Sequence, residues 1–161
     1  MSAIQFRQAE MNDLPAVAKL WRALDTFHRD LGLAFPEVDD SEAQWLASFE
    51  RTLGRFSFLW LAERDGEISA FLLARVKQSP GYLGGVQVGE ISDLFVSDAL
   101  RGQGVGEKLV TLAMENFAEA DVHSVEVQIQ AGNEGGLDFW RKLGFALDLT
   151  QVRKTLNGGG K

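Results

Sequence analysis

The chain contains no cysteine. That excludes disulfides, a thiol nucleophile and thiolate metal ligands. Its only histidines are His28 and His123, and neither sits in a tight cluster of ligand residues, so no resident metal is expected. His28, in "FHRD", reads as a helix-surface residue, and His123 as the opening of a strand. No apolar run reaches transmembrane length, and Met1-Ser2-Ala3-Ile4-Gln5 lacks the basic region and apolar core of a secretory signal. A cytoplasmic protein without a membrane partner is therefore expected. Positive charge is also scarce: 16 Lys and Arg against 23 Asp and Glu leave a net charge of −7. Such a surface repels nucleic acid on average, so a nucleic-acid partner is not expected either.

What remains is an ordinary globular composition. With 161 residues, the chain suits one domain that buries roughly 70% of its unfolded surface. We place that domain at residues 1–156 and read 157–161, Asn-Gly-Gly-Gly-Lys, as a flexible tail. "IQFRQA" alternates like a strand. Asn12 can cap a helix from about Asp13 to Asp30, with Leu14, Val17, Leu20, Trp21, Leu24 and Phe27 on one stripe. Ser41 stands where a cap would precede a second helix bearing Trp45, Leu46 and Phe49. Two strands follow around Asp65-Gly66, a strong hairpin signal. After the loop "SPGYLGG" come a strand "VQVGEISDLFV", a helix over 104–119, a strand "SVEVQIQ", a short helix ended by Gly144, and two closing strands, "FALDL" and "QVRKTL". The order β-α-α-β-β-β-α-β-α-β-β predicts an α/β fold: a mixed, largely antiparallel central sheet with helices on both faces.

The glycines of Arg101-Gly102-Gln103-Gly104-Val105-Gly106 stand at the start of the helix expected over 104–119. The first N–H groups of a helix have no internal partner, and no Ser, Thr, Asp or Asn immediately precedes this one. Glycine permits positive φ and close approach of another molecule to the backbone. With the positive end of the helix dipole, the stretch suits an anionic ligand group such as phosphate. Two familiar phosphate loops fail on spacing. Lys108 is followed by Leu109 where a P-loop needs a hydroxyl, and a dinucleotide fingerprint would need glycine where Glu107 stands. The other reading of three alternating glycines is a turn that binds nothing.

The surrounding residues carry a resemblance. Arg101 to Gly106 fit Arg/Gln-x-x-Gly-x-Gly/Ala between a strand and a helix. Downstream, Asn133 is followed by Phe139-Trp140-Arg141-Lys142-Leu143-Gly144-Phe145. The two segments, in this order, resemble those of the GNAT-type N-acetyltransferases, which use acetyl-coenzyme A. The resemblance covers residues 1–156 and is strongest from 86 to 146. It implies that Arg101, Gly102, Gln103, Gly104, Val105 and Gly106 hold the coenzyme's pyrophosphate. It further implies that Leu94, Phe95 and Val96 offer backbone groups to the pantetheine arm, and that Asn133 and Lys142 belong to the coenzyme site. Core packing and a turn are the alternative readings of the strand residues and of Asn133.

Acetyl transfer to a primary amine needs a proton acceptor, because alkylamines are mostly protonated at neutral pH. The family often carries a glutamate on the strand before the loop, which points to Glu90 as general base. Asp93 is the second choice: alternation turns it to the other face unless a bulge intervenes. The sequence departs from the family at Trp140, where a tyrosine usually serves as acid for the departing thiolate. Trp140 is thus a candidate catalytic position, with packing as the alternative, and water or Tyr82, the one tyrosine, could substitute as the acid. The acidic run Glu37, Asp39, Asp40 and Glu42 leans toward an amine acceptor, although such a run is more often a solvated loop that starts a helix. A non-catalytic acyl-coenzyme A sensor and transfer of a longer acyl chain stay open, and a homodimer is a mild expectation.

Overall fold

The computed structural model describes residues 2–157, so most of the expected tail, residues 158–161, lies outside the described residues. Among the described residues, five strands form one sheet in the order β1-β2-β3-β4-β5: β1 Gln5–Gln8, β2 Ser57–Arg64, β3 Glu67–Gln78, β4 Gln87–Val96 and β5 Ser124–Val127. The first four pair antiparallel, and β5 joins β4 in parallel. Helices α1 (Leu14–Asp30) and α2 (Ser41–Ala47) cover one face, while α3 (Val105–Glu119) and α4 (Glu134–Lys142) cover the other. No helix among the described residues is long and apolar enough to cross a membrane.

Strand β3 shows why the sheet has two cores. Its side chains alternate between faces: Ala70, Leu72 and Ala74 pack with Ile91, Leu109, Ala113 and Phe117, whereas Phe71 and Leu73 pack with Leu59, Leu61, Val17 and Phe49. All of these are buried, so β3 reads as an almost unbroken apolar run, as doubly covered strands do. Asp65 and Gly66 have φ of +55° and +81°, the pair of positive values that a tight turn between twisted strands requires. In β4, a Cβ on Gly89 would lie 2.7 Å from the Phe117 ring. Only glycine lets α3 seat this close to the sheet.

Several local expectations change. Asn12 does not cap α1 but lies in a short 3-10 turn, Met11–Asp13. Asp13 accepts the Glu10 N–H (2.7 Å) and two hydrogen bonds from Arg7 (2.8 and 3.0 Å), anchoring the helix start to β1. The Arg7 guanidinium holds the Asp13 carboxyl below its ordinary pKa. Ser41 is the first residue of α2 rather than its cap, and β5 stops at Val127 instead of running through "QIQ". The two closing strands do not form: residues 145–156 carry no strand, and Leu147, Leu149, Val152 and Leu156 are 69–88% exposed. Alternation along the chain marks a strand only when an edge is there to pair with it, and this segment lies off the sheet.

Candidate active site

The site begins where the sheet opens. Strand β3 pairs with β4 all the way to Val96, but β5 pairs only with Val88–Ile91. From Ser92 to Val96 the β5-facing edge of β4 has no neighbouring strand. Leu94, Phe95 and Val96, half-buried, line this open stretch, so their side chains pack while their backbone edge stays available.

A β-bulge stands where the opening begins. Leu73 lies opposite Asp93 and Ala74 opposite Ile91, leaving Ser92 as the extra residue. The bulge reverses the expected alternation. Glu90 faces Arg75 and Asp93 faces Leu73, and Arg75 and Leu73 are two apart on one strand. Both carboxylates therefore point to the α1/α2 face, the condition under which Asp93 becomes a second candidate base.

Their surroundings differ. Glu90 lies 3.4 Å from Arg75 Nε and 3.6 Å from Lys77 Nζ, and Lys77 reaches across to Glu126 of β5 at 2.6 Å. Asp93 accepts a hydrogen bond from Ser92 Oγ (2.8 Å), which in turn accepts one from Arg75 Nη2 (3.3 Å). Burial pushes the Asp93 carboxyl above its ordinary pKa, opposed by Ser92, the Trp45 indole, Arg75 and His28. His28 is half-buried and near this carboxylate, not free on the helix surface as the sequence suggested. Burial lowers its pKa, against the pull of Asp93 and Asp25. Trp45 is set between Trp21 (stacked, ring centroids 5.3 Å apart) and Phe71 (edge-on, 5.6 Å).

Past Val96 the chain turns through Asp98–Leu100 into the glycine stretch. Gly102 and Gly104 have φ of +77° and +75°, and Gly104 precedes α3 with no side chain capping the helix. Among the described residues, none of the amides from Gly102 to Glu107 donates to another protein group. The first bond into the helix comes from the Lys108 N–H, to Gly104 O. A row of free N–H groups thus meets the positive end of α3, with no Cβ on Gly102 or Gly104 to shield it. Gly106 serves differently: a Cβ there would lie 3.3 Å from the Phe139 ring, so it seats α3 against α4.

Arg101 donates from Nε to Val96 O (3.0 Å), tying the loop to the end of β4. Gln103 donates to Ala99 O (3.3 Å) and accepts from Arg64 Nη2 (2.8 Å). Arg64 thereby brings a cation to the loop, with its Nε buried and without a hydrogen-bond partner among the described residues. No local signal marked it, since it is simply the last residue of a strand, brought here by the hairpin.

The α4 residues divide. Asn133 caps the helix, its Oδ1 accepting the Gly136 N–H (2.9 Å). A side chain on Gly136 would collide with it. Lys142 is exposed and makes no ion pair among the described residues. Trp140 is only 6% exposed and stands edge-on to Phe139 (5.1 Å) and Phe145 (5.0 Å) in the core. Tyr82 is on the exposed β3–β4 connection, before the start of β4 and away from its open end. Of the acidic run, Glu37, Asp39 and Asp40 lie on the exposed segment that leads into α2, and Glu42 stands half-buried in its first turn.

Comparison with known proteins agrees with this geometry. The model of the acetyltransferase (GNAT) family matches residues 24–145. The chain is 30% identical over 95 residues to a mycothiol acetyltransferase of Amycolatopsis mediterranei, covering 58% of this chain and 32% of that protein. It is 28% identical over 102 residues to an uncharacterized N-acetyltransferase of Methanocaldococcus jannaschii, covering 56% and 44%. The chain thus spans less than half the length of these curated relatives. A crystal structure described as a predicted acetyltransferase with acetyl-CoA, from Clostridium acetobutylicum, superposes with a TM-score of 0.78 at 18% identity, over 95% of this chain and 96% of that one. At that identity the likeness is one of fold. A strand opened at a bulge, its free edge leading into uncapped amides, and a family match spanning the site make this chain a member of the GNAT acetyltransferase family.

Proposed function

We propose that the protein transfers the acetyl group of acetyl-coenzyme A to a primary amine, without a metal. One observation carries the reading: the open edge of β4 leads directly into the free amides of Gly102–Glu107. An elongated ligand with amide groups along its arm and a pyrophosphate at one end fits that sequence of donors and acceptors. Leu94 to Val96 bind the arm through their backbone. The loop from Arg101 to Gly106 and the α3 dipole take the pyrophosphate, and Arg64 adds positive charge. Oδ1 of Asn133 is occupied by its cap, which leaves Nδ2 for the arm, and Lys142 can reach a phosphate only from the surface.

Acetyl-coenzyme A supplies an activated thioester. The amine nitrogen forms a bond to its carbonyl carbon, the carbon–sulfur bond breaks, and the amine proton passes to a carboxylate. We assign that acceptance to Glu90, directly or through water. A second reading, Asp93, is favoured by the bulge that turns it onto the same face and by burial that raises its affinity for a proton. Trp140, locked among Phe139 and Phe145, acts through packing. Thiolate then leaves without a protein acid, which a thiol pKa near 8.5 makes tolerable.

Following thiol release from acetyl-coenzyme A across a panel of small amines and peptides tests the reading. We expect amine-dependent release. Tight coenzyme binding with no release for any acceptor would favour a non-catalytic acyl-coenzyme A sensor.

A further inference from the structure

On the α1/α2 face the sheet changes character at the bulge. Along β3, Phe71 and Leu73 pack in the core beneath the helices, and the next residues on that face are Arg75 and Lys77. Glu90 of β4 lies opposite Arg75, and Glu126 of β5 lies beside Glu90. Apolar packing thus gives way to a row of charge at the level where the open edge of β4 begins. The row can be reached from solvent: the side chains of Arg75, Lys77 and Glu126 are 34%, 45% and 52% exposed.

The two cations are not equally engaged. Lys77 Nζ lies 2.6 Å from Glu126 and 3.6 Å from Glu90. Arg75 makes one hydrogen bond among the described residues, a long one from Nη2 to Ser92 Oγ at 3.3 Å. Its Nε is buried and donates to nothing, since Glu90 Oε1, 3.4 Å away, is out of line. A guanidinium carries five N–H donors in a planar fork, so most of them stay unused here. A buried donor without an acceptor costs free energy, and a carboxylate is the group whose two oxygens match the fork. The same setting disfavours a bare ammonium. To reach Glu90 it enters the field of both Arg75 and Lys77, and like charges repel. An amine that carries its own carboxylate brings the compensating charge.

We propose that the acceptor is an α-amino acid, its carboxylate taken by Arg75 and its amino group presented to Glu90. The inference rests on the acetyl-transfer reading and adds what selects the acceptor. Because Arg75 Nε and Glu90 Oε1 are 3.4 Å apart, the two groups have to be close neighbours on the acceptor, as they are when one carbon bears both. The amine nitrogen bonds to the thioester carbonyl carbon, the thiolate leaves, and the amine proton passes to Glu90. The carboxylate is unchanged, and the products are an N-acetyl amino acid and coenzyme A.

Thiol release with free L-amino acids, compared with release for their carboxamides, tests it on the full chain. A carboxylate raises the pKa of its neighbouring amine, so the supply of free amine favours the amides, and a preference for the acids has to come from the site. We expect kcat/KM to be about 10² higher for the preferred amino acid than for its amide. Arg75→Met should shrink that ratio to a few-fold, chiefly by raising KM for the acid, and Arg75→Lys, which keeps the charge and loses the fork, should leave it in between. The ratio is internal to each variant, so a partial loss of folding cancels. Amides used as well as the acids overturn the proposal, and so does a ratio that survives Arg75→Met. Should no amine of any kind release thiol, acetyl transfer itself fails and binding alone decides the inference. In the presence of coenzyme A, calorimetry should then find the N-acetyl forms of these amino acids bound about tenfold or more tightly than their amides, with the difference gone in Arg75→Met. Equal affinities in the parent overturn it.

Discussion

The two halves of β4 share one strand and do opposite work. From Val88 to Ile91 it is paired on both edges, Gly89 sits beneath the Phe117 ring, and Glu90 is held between two cations. From Ser92 to Val96 it is paired on one edge only, and it begins with a bulge beside a carboxylate that burial makes reluctant to ionise. The first half is built for stability and the second for exposure of its backbone. A single extra residue, Ser92, separates them, and it puts one carboxylate from each half on the same face. A sheet can thus open a backbone edge without a break in the strand that carries it.

The largest expected effect divides the halves by chemistry. If Glu90 is the base, Glu90→Gln should lower kcat by about 10²–10⁴ at pH 7 with coenzyme affinity retained, while Asp93→Asn costs much less. The reverse ranking in steady-state kinetics would move the base into the open half. Next comes packing. Gly89→Ala should destabilise the fold by about 1–3 kcal/mol, because the new methyl overpacks against a buried ring. Denaturant midpoints read this out, and an unchanged midpoint would show that the closed half is looser than described.

In the loop beyond the open half, Gly104→Val should weaken coenzyme A binding about tenfold or more, some 1.4 kcal/mol. Gln103→Ala should matter less, since its amide survives. Calorimetry that finds equal affinities would remove the phosphate role from this loop.

The smallest effect concerns pH. Asp93 has a folded pKa above its unfolded value, so its ionisation opposes folding. Relative to Asp93→Asn, the parent should lose stability as pH rises from the unfolded value, about 3.9, through the folded one. The difference should then stay constant. Asp13 has the opposite sign: its contribution is present above the unfolded value and disappears as pH falls through the folded one. Urea midpoints from pH 3 to 7 for the parent and the two Asn variants check both signs.

Most of the fold was legible because local chemistry and tertiary context agree. The Asp65-Gly66 turn, the glycines before α3 and the double-sided apolar run of β3 each have a purely local cause. What escaped reading depends on partners distant in the chain. The closing strands looked like strands by alternation, yet alternation carries no information about an available edge. The bulge at Ser92 is a register event between two strands, so the facing of Asp93 could only be stated as a condition. Arg64 and His28 reach the site through tertiary placement alone, and Trp140 shows its packing role only once Phe139 and Phe145 surround it.

Backbone hydrogen exchange with and without coenzyme A tests the central claim most directly, because the claim concerns backbone groups. Saturating coenzyme A should slow exchange of those amides within Asp93–Val96 that face the open edge rather than β3, and of Gly102–Glu107, and leave Val88–Ile91 unchanged, since those amides are already committed to the sheet. Protection that appears elsewhere, with the open half of β4 and the 102–107 amides still exchanging as in the free protein, would contradict it.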